Sequence, residues 1–314
     1  MKILLTSTSF QDTPGHHHQY LDSLGFEVVR MRGPLIEKKL LNEITQFDAL
    51  LCGDDEITRN VIKKGALEGN LKAISKYGIG LDKIDIEAAK DYNIKITNCP
   101  GVNKTTVAEH VFALLLSFVK NIIKEDNLLK EGKWKRLIGS DLIGKTLGVL
   151  GTGNIGKEVI KRANAFGMNI IAFDKYPDNN FSKKFDFIYE SSFKKFIKSC
   201  DFLTIHVLLN DSTRNLINEK SIKFFKKNCI IINTARAEII NHNIIIEALN
   251  NDQIGGYLSD VFPNEPLPNN DPIINAKNVV ITPHIGSRTH ENIVRQGTYA
   301  VQNLIKSINE YKQN

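Results

Sequence analysis

The sequence predicts an α/β protein of two doubly wound parallel-sheet domains, one inserted in the other. Three observations carry that expectation. Short apolar runs alternate with helical patterns along the chain, as βα units feeding a sheet covered on both faces do. A glycine-rich turn, Gly151-Thr152-Gly153-Asn154-Ile155-Gly156, opens a second wind of such units in mid-chain. The last helical stretch, from about His290, comes too late for that second sheet and returns to the first. Residues 1–100 and 288–314 then form one discontinuous domain and 101–287 the inserted one, with a cleft between the lobes.

In order, residues 1–7 read as a strand, 11–15 as a loop, and a helix follows with His16, His17, His18 and Tyr20. Adjacent helical side chains point about 100° apart, so three consecutive histidines cannot converge on one ion. They are expected in surface and cap roles, and no metal site is expected. Strands at 26–31, 49–52, 72–75 and 94–97 alternate with helices at 35–44 and from Thr58. The stretch 105–124 is apolar over most of its length and reads as a buried helix, followed by a surface-helix segment through Trp134. The second wind continues with strands at 146–150, 201–207, 228–233, 255–259 and 279–282. It also has a strand ending at Asp174, helices at 221–225 and 241–249, and a loop at 263–272.

Composition narrows the function classes. At 314 residues and 42% hydrophobic, the chain can bury two cores. No apolar run approaches the roughly 20 residues of a membrane span, and the N-terminus reads as a strand rather than a signal peptide. The net charge of +6 is carried by lysines scattered over helices, which speaks against a nucleic-acid groove. Cys52, Cys99, Cys200 and Cys229 form no C-x-x-C pair, so neither a disulfide frame nor zinc is indicated and a reducing cytoplasm fits.

The glycine-rich turn lies between an apolar strand and an amphipathic helix. Gly151 makes the tight turn, Gly153 lets N–H groups approach a pyrophosphate, and Gly156 lets the helix lie close on the sheet. The helix N-terminus, at Asn154 and Ile155, offers unpaired donors and partial positive charge. Asp174 follows at roughly the 20-residue distance of a Rossmann fingerprint. It would accept from the ribose hydroxyls and repel a 2′-phosphate, so NAD is expected rather than NADP, with Lys175 softening that preference. Glycines in Tyr77-Gly78-Ile79-Gly80 stand after a strand, where bare N–H groups can hold a carboxylate.

Arg236, Glu265 and His284 also stand at or after separate strand ends. On spacing alone each is more often structural than catalytic; their joint placement on a dinucleotide fold makes the case. Hydride transfer to a 2-oxo acid needs a cation to grip the carboxylate and polarise the carbonyl, and Arg does both. It also needs a proton donor near neutral pH, for which His suits best, and a carboxylate partner such as Glu265 favours imidazolium.

At KYGIGLDKID (76–85), GVNKTTVAEH (101–110), GVLGTGNIG (148–156), NTARAEII (233–240), DVFPNEP (260–266) and TPHIGSRT (282–289), the chain resembles the D-isomer-specific 2-hydroxyacid dehydrogenase family, which includes D-3-phosphoglycerate dehydrogenases. The resemblance covers nearly the whole length. It implies a Rossmann NAD-binding domain inserted in a flavodoxin-like substrate domain. It implies Arg236, Glu265 and His284 as the catalytic set, and Tyr77, Gly78, Ile79 and Arg236 on the substrate. Asp260 would lie near the nicotinamide amide, with Thr106, His206, Thr234, Ala235 and Gly286 lining the cofactor. It further implies a homodimer built through the NAD-binding domain, with helix 105–124 involved.

Two departures from the family pattern stand out. Ala237 replaces the usual Gly after Arg236, where its methyl shifts the loop. Gly53-Asp54-Asp55-Glu56 stands where phosphoglycerate enzymes place a phosphate-binding arginine. Three acids there would repel a phosphorylated tail, unless Arg59 turns inward to compensate. The expected substrate is therefore a small 2-oxo acid with an uncharged, polyhydroxylated or cationic tail, as for a hydroxypyruvate or glyoxylate reductase. The rival readings are an NADH-sensing co-repressor-like binding protein and oxidation of formate or phosphite on the same scaffold.

Overall fold

The computed structural model describes residues 1–313. The chain divides into two compact units, the first of residues 1–103 and 288–314 and the second of 104–287.

The first unit is a five-stranded parallel sheet. Its strands are β1 (Lys2–Leu5), β2 (Glu27–Arg30), β3 (Ala49–Cys52), β4 (Ala73–Lys76) and β5 (Lys95–Thr97), in the flavodoxin-like order β2-β1-β3-β4-β5. Successive side chains of a strand point to opposite faces, and both faces here are buried. Ile3, Leu5, Ala49 and Leu51 accordingly enter one apolar cluster, while Leu4, Leu50 and Cys52 enter the other. The long C-terminal helix His290–Gln313 packs Ile293, Ala300, Val301 and Leu304 into the first of these clusters.

The second unit holds β6 (Thr146–Leu150), β7 (Asn169–Phe173), β8 (Ile188–Tyr189), β9 (Phe202–Ile205), β10 (Ile230–Asn233), β11 (Gly256–Ser259) and β12 (Val279–Ile281). All are parallel, in the order β12-β11-β10-β9-β6-β7-β8, a Rossmann arrangement that reverses direction between β6 and β9. Val149 and Ile232 point into one core and Leu150 and Ile231 into the other.

Several elements differ from the sequence reading. The apolar helix runs Lys104–Val119, with Val111, Leu114 and Leu115 in the core of the second unit. It stops because Asn121 takes a left-handed backbone, φ +55, and a second helix, Ile122–Lys130, leaves at a 58° bend. Trp134 lies beyond that helix, 80% exposed, in an irregular stretch. The helix expected at 221–225 is a single 3₁₀ turn, Ile222–Phe224, and the loop expected at 11–15 begins inside a helix, Thr8–Asp12. The surface role expected of the histidine triplet fails at His17. Its ring is buried against Phe10, with Nε2 3.0 Å from the Phe10 carbonyl.

Candidate active site

Parallel register aligns the strand ends of the second unit. Leu150 is level with Phe173 and Ile205, Ile205 with Asn233, Asn233 with Ser259, and Ser259 with Ile281. The residues that follow, Gly151, Asp174, His206, Thr234, Asp260 and Thr282, therefore leave the sheet in one row along its carboxyl edge. Doubly wound folds take their ligands at that edge. All but Thr282 are residues expected to serve the cofactor.

The turn after β6 depends on its glycines. Gly151 has φ +91, and a Cβ there would come 2.8 Å from the His206 backbone. A Cβ on Gly156 would stand 2.1 Å from the Gly151 carbonyl oxygen, so only glycine lets helix Asn154–Ala165 approach so closely. Gly153 differs, since a Cβ there meets nothing within 4 Å. Asn154 is exposed at the helix start, and Ile155 packs on the core. Asp174 braces the turn. Its Oδ2 accepts from Thr152 N (2.6 Å) and Oγ1 (2.9 Å), and its Oδ1 from Tyr176 N (2.8 Å). Lys175 lies over the Tyr176 ring, 5.5 Å from its centroid. Farther along the row, the buried Thr234 Oγ1 has no hydrogen-bond partner. An open glycine turn at a helix N-terminus and an orphaned hydroxyl on the same edge both fit a dinucleotide.

Thr106, in the first turn of helix Lys104–Val119, is buried. His206 is half-buried, and its Nε2 meets Thr204 Oγ1 at 2.8 Å. Burial pushes its imidazole down to about 3, so this ring is neutral at physiological pH.

Glu265 and His284 come together, with His284 Nδ1 2.7 Å from Glu265 Oε2. Glu265 Oε1 accepts from Phe262 N at 2.9 Å, which fixes the carboxylate. The pair borders a pocket of about 200 Å³ lined mostly by Phe262, Pro266, Leu267 and Ile281. A carboxylate at Nδ1 fixes the orientation of the ring.

The loop carrying His284 closes around Asp260. Asp260 Oδ1 accepts from Thr282 Oγ1 (2.6 Å) and Ile285 N (2.8 Å), and Oδ2 from Gly286 N (2.7 Å). His110, from helix Lys104–Val119, reaches Thr282 Oγ1 at 3.0 Å and lies 3.4 Å from Asp260 Oδ1. Burial works to raise the Asp260 carboxyl, but donation from His110, Thr282 and Ile285 outweighs it and holds the group below the usual carboxylate range. A Cβ on Gly286 would stand 2.8 Å from Asp260 Oδ2. Expected beside the nicotinamide amide, Asp260 has both oxygens engaged by the His284 loop.

Asn233, which the sequence reading passed over, shapes the loop of Thr234, Ala235 and Arg236. Its amide accepts from Ala235 N (3.0 Å) and donates to the Arg236 carbonyl (2.9 Å). The Arg236 guanidinium is half-buried and donates to the Ala235 carbonyl at 2.8 Å. Ala237 is buried in the 3₁₀ turn Ala237–Ile239, so its methyl is packed inside the loop.

In the first unit, Tyr77 is buried, and burial pushes its phenol up, so it stays neutral. Gly78 has φ +138. The Gly78 carbonyl accepts from Cys99 N (2.8 Å), and the Ile79 carbonyl from Asn98 Nδ2 (2.7 Å). In a planar trans peptide the N–H points opposite the preceding carbonyl. The N–H groups of Ile79 and Gly80 therefore face away from Asn98 and Cys99, oriented as an anion cradle requires.

The acidic loop after β3 corrects the charge argument. Asp55 is buried and accepts from Thr6 Oγ1, Gly53 N and Leu35 N (2.5, 2.9 and 2.6 Å), which makes it a structural acceptor. Glu56 accepts from Glu37 N at 3.0 Å, and Asp54 pairs with Lys76. Arg59 does not turn toward this loop. It pairs with Asp91 at 2.7 Å and lies 3.9 Å from Asp85. Lys76, Asn98 and His110 carried no sequence signal of their own beyond lying in or beside the quoted stretches.

The model of the D-isomer specific 2-hydroxyacid dehydrogenase NAD-binding domain matches residues 112–286. The chain is 37% identical over 309 residues to D-3-phosphoglycerate dehydrogenase of Methanocaldococcus jannaschii, covering 98% of this chain and 57% of that relative, so it spans little more than half the relative's length. It is 38% identical over 281 residues to hydroxypyruvate reductase of Thermotoga maritima, covering 87% of this chain and 89% of the relative. Among solved structures, the TT0316 protein of Thermus thermophilus matches with a TM-score of 0.88 at 32% identity, over 99% of this chain and 97% of the other. The chain therefore belongs to the D-isomer-specific 2-hydroxyacid dehydrogenase family of NAD-dependent oxidoreductases, with the family's NAD-binding domain at residues 112–286.

Proposed function

We propose that the protein interconverts a short 2-oxo acid and its D-2-hydroxy acid, with Arg236, Glu265 and His284 as the catalytic set. The observation that supports this most is the 2.7 Å contact of His284 Nδ1 with Glu265, on a loop at the carboxyl edge of a dinucleotide-binding sheet. The glycine turn would hold NAD, which would supply or accept the hydride. Arg236 grips the substrate carboxylate and polarises the carbonyl. His284 gives a proton from Nε2 to the oxygen that becomes the hydroxyl, and Glu265 stabilises the imidazolium that donates it. In the first unit, the turn of Tyr77, Gly78 and Ile79 would take a carboxylate, through N–H groups that include Gly80's.

Gly151, Gly153, Asn154, Ile155 and Gly156 would cradle the pyrophosphate, and Asp174 the adenosine ribose, which favours NAD over NADP. Thr106, His206, Thr234, Ala235, Asp260 and Gly286 would line the rest of that site. Relatives bear both phosphoglycerate dehydrogenase and hydroxypyruvate or glyoxylate reductase names. We assign this chain to unphosphorylated acids. The test is an NADH-consumption screen over hydroxypyruvate, glyoxylate and 3-phosphohydroxypyruvate. A preference for the phosphorylated acid would refute the assignment.

The partner is a second copy of the chain. Ile122, Ile123, Leu129, Trp134 and Leu137 are exposed in the stretch after the buried helix, and Ile138 is 97% exposed. Exposed apolar side chains so close in sequence mark an interaction surface. Light scattering should return twice the 35.3 kDa chain mass, and Ile138→Asp should lower it toward one chain. A wild-type mass of one chain would contradict the dimer. No single described helix is long and apolar enough to cross a membrane, and all four cysteines are free and buried, in keeping with a reducing cytoplasm.

A further inference from the structure

Lys76 is the only buried lysine or arginine among the described residues. It ends β4 at the carboxyl edge of the five-stranded sheet, immediately before Tyr77. Its ammonium donates to the Gly53 carbonyl and, at 2.5 Å, to Asp54 Oδ1, both in the loop leaving β3. Its Cε lies 3.4 Å from where a Cβ on Gly78 would stand, so the cation runs directly under the turn that orients the Ile79 and Gly80 N–H groups. A buried ammonium needs a counter-charge. Asp54 provides it from a side chain that is itself 54% exposed. The neighbouring acids are held elsewhere, Asp55 by Thr6, Gly53 and Leu35, and Glu56 by Glu37 N.

We propose that Asp54 is a specificity-determining residue. As the built-in counter-ion of Lys76 it holds the place an anionic substrate tail would take, so the site accepts 2-oxo and 2-hydroxy acids with uncharged tails and rejects phosphorylated ones. The identity of the ligand rests on the reaction proposed above. Neutralising Asp54 leaves Lys76 under the turn without its counter-charge, which a phosphate then supplies.

Calorimetric binding of D-glycerate and 3-phospho-D-glycerate to the full chain tests this, in saturating NADH so that neither hydroxy acid reacts. The wild type is expected to bind glycerate more tightly. In Asp54→Asn the affinity ratio moves toward the phosphorylated acid by roughly fivefold or more, through tighter 3-phosphoglycerate binding. Asp54→Ser, with a shorter neutral side chain, moves it the same way, and adding Lys76→Met to Asp54→Asn abolishes the gain. A wild-type preference for the phosphorylated acid, a shift smaller than fivefold in both single variants, or a gain that survives in the double variant overturns the proposal. Failure of the hydride-transfer reading appears separately, as wild-type protein that oxidises no NADH with any 2-oxo acid.

Discussion

His284 stands at φ +53, where an L residue crowds its own backbone, and three donors flanking it are gathered on Asp260. The ring is then aimed by Glu265. Holding and aiming are separate tasks, so they respond differently to substitution. Glu265→Gln keeps a hydrogen-bond acceptor and removes the charge. It is expected to lower kcat by about 10 to 100-fold while NADH affinity stays within about twofold, read by steady-state kinetics and fluorescence titration. A matching loss of both would assign Glu265 to the fold. Arg236, Glu265 and His284, the proposed catalytic set, stood out in the sequence because polar groups suited to that chemistry follow apolar strands. Lys76 and His110 could not, because their meaning lies in partners 22 and 150 residues away, Asp54 and Asp260, and no local pattern encodes such pairings.

Strands and the glycine turn were legible as elements because parallel sheets buried on both faces need continuous apolar runs. Thr146–Leu150 is such a run, and Gly151, Gly153 and Gly156 follow at fixed spacing. The end of the buried helix was not, since apolar residues continue past Val119 while a single left-handed asparagine breaks the path. Strand β8 is two residues long and offers too little pattern to read. The glycines give the sharpest expectation at this scale. Gly156→Ala places a methyl 2.1 Å from a backbone oxygen that cannot move aside, so it should destabilise the fold by about 1–3 kcal/mol and weaken NADH binding. Gly153→Ala meets open space and should leave the unfolding midpoint unchanged; under the proposed assignment of this turn to the pyrophosphate it should still weaken NADH binding. Unchanged NADH affinity in Gly153→Ala would contradict the assignment of that turn to phosphates.

The molecule as a whole should lose stability on the acid side. His206 is pushed down to about 3 and His17 is also lowered, both chiefly by burial, so protonating either is harder in the folded chain than in the unfolded one. In the unfolded chain they titrate near ~6.5. Below that pH the unfolded state binds more protons, and stability falls by up to ~1.4 kcal/mol per pH unit for each group. Asp260 adds its own loss only nearer pH ~4, as its lowered carboxyl is protonated. Urea unfolding at pH 7 and 5 should show this fall, and His206→Asn should flatten part of the slope, with His17 retaining the rest. An unaltered slope would mean that His206 is not held neutral. The two-sheet architecture was readable from alternating apolar and amphipathic stretches, whereas the side chains that choose a substrate depend on packing at the strand edges. The most direct measurement is NADH oxidation by wild type and His284→Ala over the three 2-oxo acids, with NADH binding measured alongside. The account predicts wild-type turnover with an unphosphorylated acid and a loss of about 10² to 10⁴-fold in His284→Ala at unchanged NADH affinity. NADH binding without turnover of any acid, or undiminished turnover in His284→Ala, would contradict it.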